Sequence, residues 1–423
     1  MLTRRELSKL ILSLGTAVFG PESIWAAGKP PDPGQHSLAG VEQGASQKCE
    51  LLIKGGTVID PAQSLHAPLD VAVKDGKILE VSRDFPEAQA RSVISAKGKI
   101  VTSGLIDCHV HCFDGVGLSG VNADHCCLGR GVTTVVDAGS AGFTSISGLR
   151  KHIIKPSATR IYALVDIGAL GLIVGLKDSL SNLEWLNPQL VAEAAEENRP
   201  AVVGIKVRLS EAATGAKDLE CLKRALDAAE ACHLPLMVHI AAPYSPLPDI
   251  LRMLRKGDIF THFLNGERHG VLDERGKVLP EVLEARHRGI IFDPAQGLVN
   301  FSFRVAETCL QQGLLPDTIS TDLSRWVVDG PVFDLPTMIS KFLALGMTID
   351  KAIELTTINP ARIFNYGADL GTLRPGSEAD IAVFELRDGT YEFFDSSGEK
   401  RVGRQKLVNK AAVRGGEVFV NEA

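Results

Sequence analysis

A chain of 423 residues that is 45% hydrophobic and 23% charged has enough apolar material for a barrel of about 250 residues and a smaller companion. That balance excludes collagen-like and disordered classes. The formal net charge is −6 and no run of Lys and Arg stands out, which excludes a nucleic-acid surface and leaves a small molecule as the expected partner.

In chain order, Arg4 and Arg5 precede a short apolar stretch at 10–19, which Pro21 ends and Ala26 and Ala27 follow. An arginine pair, a short apolar run and small residues form the pattern of a twin-arginine export signal over 1–27. The protein is therefore expected to be exported to the periplasm, with cytoplasmic residence as the alternative. Ile24 or Trp25 stands where a small residue is expected before a cleavage site, so inefficient cleavage is expected. No later segment is apolar enough for a membrane span, so none is expected in the mature protein.

Residues 28–49 read as a linker, opened by Pro30, Pro31 and Pro33. Short β-type runs follow at 51–53, 57–59, 71–73 and 78–81, with turn residues between them. Beyond Lys97-Gly98 the pattern becomes apolar strands separated by longer, often helical segments. Strands are predicted near 101–111, 132–138, 161–167, 201–209, 235–240, 258–264, 289–293 and 318–323. Helix starts are signalled at Asn187-Pro188, at Asp218 ahead of 219–232, and at Thr348 ahead of 349–357. Strand-like runs return at 381–384, 407–408, 413 and 418–420.

Eight βα units close a ring, so the expected fold class is α/β: a (β/α)8 TIM barrel with a small β-sandwich formed by the N- and C-terminal segments. The boundaries are 1–27 for the export signal, 28–49 for the linker, 50–98 and 367–423 for the sandwich, and 99–366 for the barrel. The eight cysteines form no paired C-x-x-C clusters. Alternation along a strand puts Cys108 and Cys112 on the face opposite His109 and His111, as packing residues.

Chemistry collects at predicted strand ends, where barrel active sites lie. His109 and His111, two residues apart, share one face of the first strand. Lys206 follows the apolar run Val202-Val203-Gly204-Ile205, which directs its ammonium into the barrel, where burial needs a reason. A lysine that has reacted with carbon dioxide carries a carbamate anion whose two oxygens can serve two cations, whereas an ammonium would be repelled by them. A structural ion pair with a carboxylate such as Asp107 is the rival account. His239 and His262 each end an apolar strand, and Asp322 ends the last one. A carboxylate there needs a metal or a transferable proton.

This set resembles the amidohydrolase superfamily, in which a His-x-His pair, a carboxylated lysine, two histidines and one aspartate bind two metals. Gly204 to Arg208 (GIKVR), Thr261 to Gly266 (THFLNG) and Ile319 to Leu323 (ISTDL) are similar to its deacetylase-like, dihydroorotase-related branch. Leu373 to Asp380 (LRPGSEAD) resembles that family's return into its β-sandwich. Two positions depart from the branch. Phe292-Asp293-Pro294-Ala295-Gln296-Gly297 stands where a Phe-Asp-x-Gly-His-Gly pattern is usual, and Ser324 stands where a histidine often follows the Asp-Leu pair.

The expectation is a hydrolase with two divalent ions, zinc expected, that activate water to cleave an amide or ester, with Asp322 as proton shuttle and Lys206 as N6-carboxylysine. Arg208, on the same strand face as Lys206, and Asn265, in a following loop, are the candidate substrate contacts. A cyclic amidase of dihydroorotase or hydantoinase type is the alternative, and a non-catalytic relative a weaker one. A homo-oligomer stays open.

Overall fold

The computed structural model describes residues 48–367 and 369–419. The expected export signal and most of the linker lie outside the described residues. Five strands open the described chain: β1 (Cys49–Asp60), β2 (Leu65–Lys74), β3 (Lys77–Ser82), β4 (Ala90–Ser95) and β5 (Ile100–Ser103). Seven follow in the barrel: β6 (Leu105–Val110), β7 (Val132–Gly142), β8 (Arg160–Asp166), β9 (Val202–Leu209), β10 (Leu236–Ile240), β11 (Ile259–Thr261) and β12 (Ile291–Asp293). The last three are β13 (Ile381–Phe394), β14 (Lys400–Arg414) and β15 (Glu417–Phe419).

The terminal segments build one sheet in the order β15-β14-β13-β5-β1-β2-β3, with β4 also paired to β1. The expected runs 51–53 and 57–59 are a single strand with a register shift between Ile53 and Gly56. The sheet folds over a core that includes Leu51, Ile53, Val71, Val101, Ile381 and Val413. Its two ends meet at glycine turns: a Cβ on Gly76 would lie 3.0 Å from the Gly415 carbonyl oxygen. The two faces of the expected sandwich are thus parts of one continuous ladder. The β13–β14 hairpin is far longer than the short runs at 381–384 and 407–408, because its outer half is polar and exposed and gives no apolar signal.

The seven barrel strands pair in chain order, each parallel to the next. The eighth, expected at 318–323, is not a regular strand, because Asp322 takes a left-handed backbone with φ of 53°. It still closes the ring. Asp322 N donates to His109 O at 2.8 Å and His111 N to Leu323 O at 2.8 Å, while on the other side Asp317 N donates to Phe292 O at 2.8 Å. Helices cover the outside where the caps predicted them: Asn187 accepts from the backbone at the start of Pro188–Glu197, and Thr348 does so for Ile349–Thr356.

The predicted first strand, 101–111, is corrected to two. β5 pairs antiparallel with β13 in the terminal sheet, and β6 pairs parallel with β7 in the barrel. Gly104 makes the change of sheet, where a Cβ would fall on the Thr133 side chain. Strict alternation also fails on β6, whose register shifts between Asp107 and Val110. Cys108 therefore joins the barrel's interior core with Ala138, Leu164, Met237 and Ile259, and both its thiol and the His109 ring lie beside Asp293. Gly104→Val should overpack the junction and lower unfolding free energy by about 1–3 kcal/mol, measured by denaturant titration.

Candidate metal centre

Backbone geometry brings all six predicted ligand residues to the C-terminal mouth of the barrel. His109 lies on β6 and His111 just beyond it, Lys206 on β9, His239 on β10, His262 directly after β11, and Asp322 on the closing segment. His109 Nε2 lies 3.1 Å from Lys206 Nζ and 3.4 Å from Asp322 Oδ1. His111 Nε2 lies 3.1 Å from Asp322 Oδ1. Ring centroids of His262 are 4.9 Å from His109 and 4.4 Å from His239. The donor atoms of His109, His111 and Asp322 all fall within 4.8 Å of one another, close enough to hold one divalent cation.

The groups behind the rings set their tautomers. Thr261 Oγ1 donates to Asp293 Oδ2 at 2.6 Å, so at 3.0 Å from His109 Nδ1 it can only accept. His109 then carries its proton on Nδ1 and turns a lone pair on Nε2 toward Lys206 and Asp322. His262 Nδ1 donates to Ala295 O at 2.8 Å, which leaves Nε2 as an acceptor. That Nε2 is buried and, among the described residues, has no hydrogen-bond partner. An orphaned lone pair beside two other imidazoles is what a cation would satisfy. Burial, then the charge of Lys206 and the neighbouring rings, holds His109 well below the usual imidazole range, and burial brings His262 down to about 4. Both are neutral at neutral pH, the form that binds metals.

Lys206 is fully buried, and its Nζ meets His109 Nε2 and, at 3.3 Å, Met237 Sδ. Among the described residues it makes no ion pair. Asp107, the rival partner, instead accepts from Thr321 Oγ1 at 2.6 Å and from the His109 and Thr321 amides. Burial, helped by the charge of Arg208, brings the Lys206 ammonium down to about 7. Gly139 gives it room, since a Cβ there would lie 2.8 Å from both Cβ and Cγ of Lys206. Burial pushes the Asp322 carboxyl up, but the hydrogen bond from His111 and the charges of His262 and Lys206 outweigh this and hold it below the usual carboxylate range.

The two expected substrate contacts are engaged inside the protein. Arg208 is 2% exposed, pairs with Asp166 and donates to Gly139 O at 3.0 Å, the structural salt bridge. Asn265 Nδ2 donates to Ile240 O at 3.0 Å and His262 O at 2.7 Å, and its Oδ1 accepts from Glu267 N, so it shapes the loop after β11.

Sequence reasoning missed the supports. Asp293 accepts hydroxyl hydrogen bonds of 2.6 Å from Thr261, Thr318 and Ser320, and Ser140 Oγ lies 2.9 Å from His111 Nδ1. Asp293 closes a short apolar strand just as His239 and Asp322 do, a signal that was available. Gln296 and Lys341 carry no such signal, because Gln296 lies in a loop and Lys341 inside the helix Leu335–Ala344. Gly297 packs so tightly that a Cβ would fall on the Asp322 carboxylate. Gly297→Ala should displace that carboxylate and weaken divalent-cation binding at least tenfold in a calorimetric titration. Unchanged affinity would show that Asp322 is free to move.

The amidohydrolase family model matches residues 100–413. A protein of Enterococcus faecalis named deacetylase is 33% identical over 375 residues, which cover 88% of this chain and 99% of that one. A crystal structure of an adenine deaminase superposes with a TM-score of 0.83 at 33% identity, over 88% of this chain and 100% of the other. A crystal structure of a dihydroorotase does so with a TM-score of 0.80 at 31% identity, over 88% and 99%. The match takes in every barrel strand, β13 and nearly all of β14, and the chain belongs to the amidohydrolase family.

Proposed function

We propose that this protein hydrolyses an amide or ester bond of a small molecule, deacetylation being the favoured reaction, with two divalent ions held by His109, His111, Lys206, His239, His262 and Asp322. The observation that carries it is the buried, unpartnered Nε2 of His262 beside the neutral imidazole of His109 and the ionised Asp322. When bound, such ions polarise a carbonyl and lower the pKa of water from about 15.7 toward about 7. Zinc suits a set dominated by imidazole. Asp322, held ionised and oriented by His111, accepts the proton of the attacking water and passes it to the leaving nitrogen or oxygen.

Lys206 enters as its carbamate. The neutral amine attacks carbon dioxide, a nitrogen–carbon bond forms as one carbon–oxygen π pair moves to oxygen, and the surplus N–H proton leaves to water. Its pKa of about 7, against 10.5 for a free lysine, supplies the neutral amine at physiological pH. The deacetylase reading draws on the name of the Enterococcus faecalis relative and its coverage of 99% of that chain. The dihydroorotase likeness favours ring opening of a cyclic amide as the second reading. The Arg4-Arg5 pattern supports export to the periplasm.

Elemental analysis of protein produced with zinc and bicarbonate should give two metal equivalents per chain, and one equivalent would remove the carbamate-bridged pair. Asp322→Asn should cut turnover at least a hundredfold in a panel of N-acetyl, O-acetyl and cyclic ureide compounds; undiminished turnover would remove the proton shuttle. Ring opening without acetate release would replace deacetylation with cyclic amide hydrolysis. The fraction of Lys206 that is neutral rises about tenfold between pH 6 and 8 if its pKa is near 7. At constant dissolved carbon dioxide, zinc-dependent reactivation of stripped protein should rise over that range and level off above it. A rise continuing to pH 10 would indicate an ordinary lysine.

A further inference from the structure

The polar floor of the site is set inside an apolar rim. Leu118, Leu176, Tyr244, Val299 and Trp326 are each between 48% and 56% exposed. They occupy the loops that follow β6, β8, β10, β12 and the closing segment, all at the face where the six ligand residues converge. In the connections at the opposite face, the one exposed large hydrophobic residue among the described residues is Leu315, at 38%. Apolar surface concentrated in this way marks a binding surface.

The rim is tied to the floor. Val299 lies two residues beyond Gly297, which packs on Asp322, and Trp326 lies four residues beyond Asp322 itself. Arg325 N donates to Ser119 O at 3.0 Å, joining the Trp326 loop to the Leu118 loop. A Cβ on Gly175 would lie 3.7 Å from Leu118 Cδ1, so the Leu176 loop lies against the same side chain. The Asp322 side chain is 15% exposed and His239 is partly exposed, so the floor opens at this face.

We propose that the substrate carries an apolar body, alkyl or aromatic, that rests on this rim while its scissile carbonyl reaches the floor. This rests on the hydrolase reading above and adds the class of substrate. A second copy seated over the same residues would cover the opening through which Asp322 meets water and product, which favours the substrate as occupant.

The test is calorimetric binding of straight-chain hydroxamates, from acetohydroxamate to hexanohydroxamate, to the metal-loaded full chain. The headgroup binds the metal and the tail reports the rim. Each added methylene should tighten binding by about two- to fourfold, the size expected for burying one CH2. Leu118→Ser with Trp326→Ala should flatten that dependence and leave acetohydroxamate affinity unchanged. Equal affinity along the series in the parent protein overturns the rim proposal alone. Failure of every hydroxamate to bind overturns the metal reading and the rim with it. A dimer in sedimentation that dissociates on Trp326→Ala assigns the rim to a second copy and overturns the proposal.

Discussion

Lys206 is buried in the barrel with a nitrogen and a sulfur for neighbours and, among the described residues, no carboxylate in ion-pairing reach, and the rest of the site is organised around that constraint. A second buried lysine shows what ordinary burial requires. Lys341 is also fully buried and also brought down to about 7, first by burial. Its Nζ donates to three oxygens: Gln296 Oε1 at 2.5 Å, Pro331 O at 2.9 Å and Phe394 O at 2.8 Å. Those bonds complete a structural lysine. Among the described residues Lys206 has no such set of oxygen acceptors and meets only the His109 ring nitrogen and the Met237 sulfur.

Holding these groups at the barrel mouth has a backbone cost. His262, with φ of 69°, and Asp322, with φ of 53°, both occupy the left-handed region, where a non-glycine residue costs about 1–3 kcal/mol. The surroundings hold both in place. The Asp322 amide is bound by His109 O and the His262 amide by Asp293 O, while the side chains are fixed by His111 and by Ala295 O. The same left-handed turn at Asp322 makes the eighth strand irregular. Closure of the barrel and presentation of the carboxylate are therefore one structural event.

The convergence of the six residues was legible in the sequence, because each stands at or near the end of a predicted barrel strand, a place that burial and barrel geometry both restrict. Strand positions followed from the same runs. The break at Gly104 was not legible: the apolar pattern runs through 100–110, and only the clash with Thr133 shows where the sheets part. The length of the β13–β14 hairpin was hidden by its polar outer half. The engagement of Arg208 depended on Asp166, which lies 42 residues away on the neighbouring strand. Such supports are tertiary pairings of residues that in sequence look like ordinary polar positions.

The hairpin joins the two sheets into one working unit. Its tip at Asp395 accepts from the amide of Phe303 at 3.0 Å, Ser396 N donates to Phe301 O at 3.1 Å, and Phe394 O receives both Lys341 Nζ and Gln296 Nε2. Gln296 stands between Ala295, whose carbonyl fixes the His262 tautomer, and Gly297, whose bare Cα leaves space for the Asp322 carboxylate. The side chain of Gln296 is fully buried and is spent on the hairpin and on Lys341, so this position supports His262 and Asp322 from behind. The terminal sheet therefore acts on the site through the loop it clamps, and the described residues group as one compact unit although they contain two separate sheets.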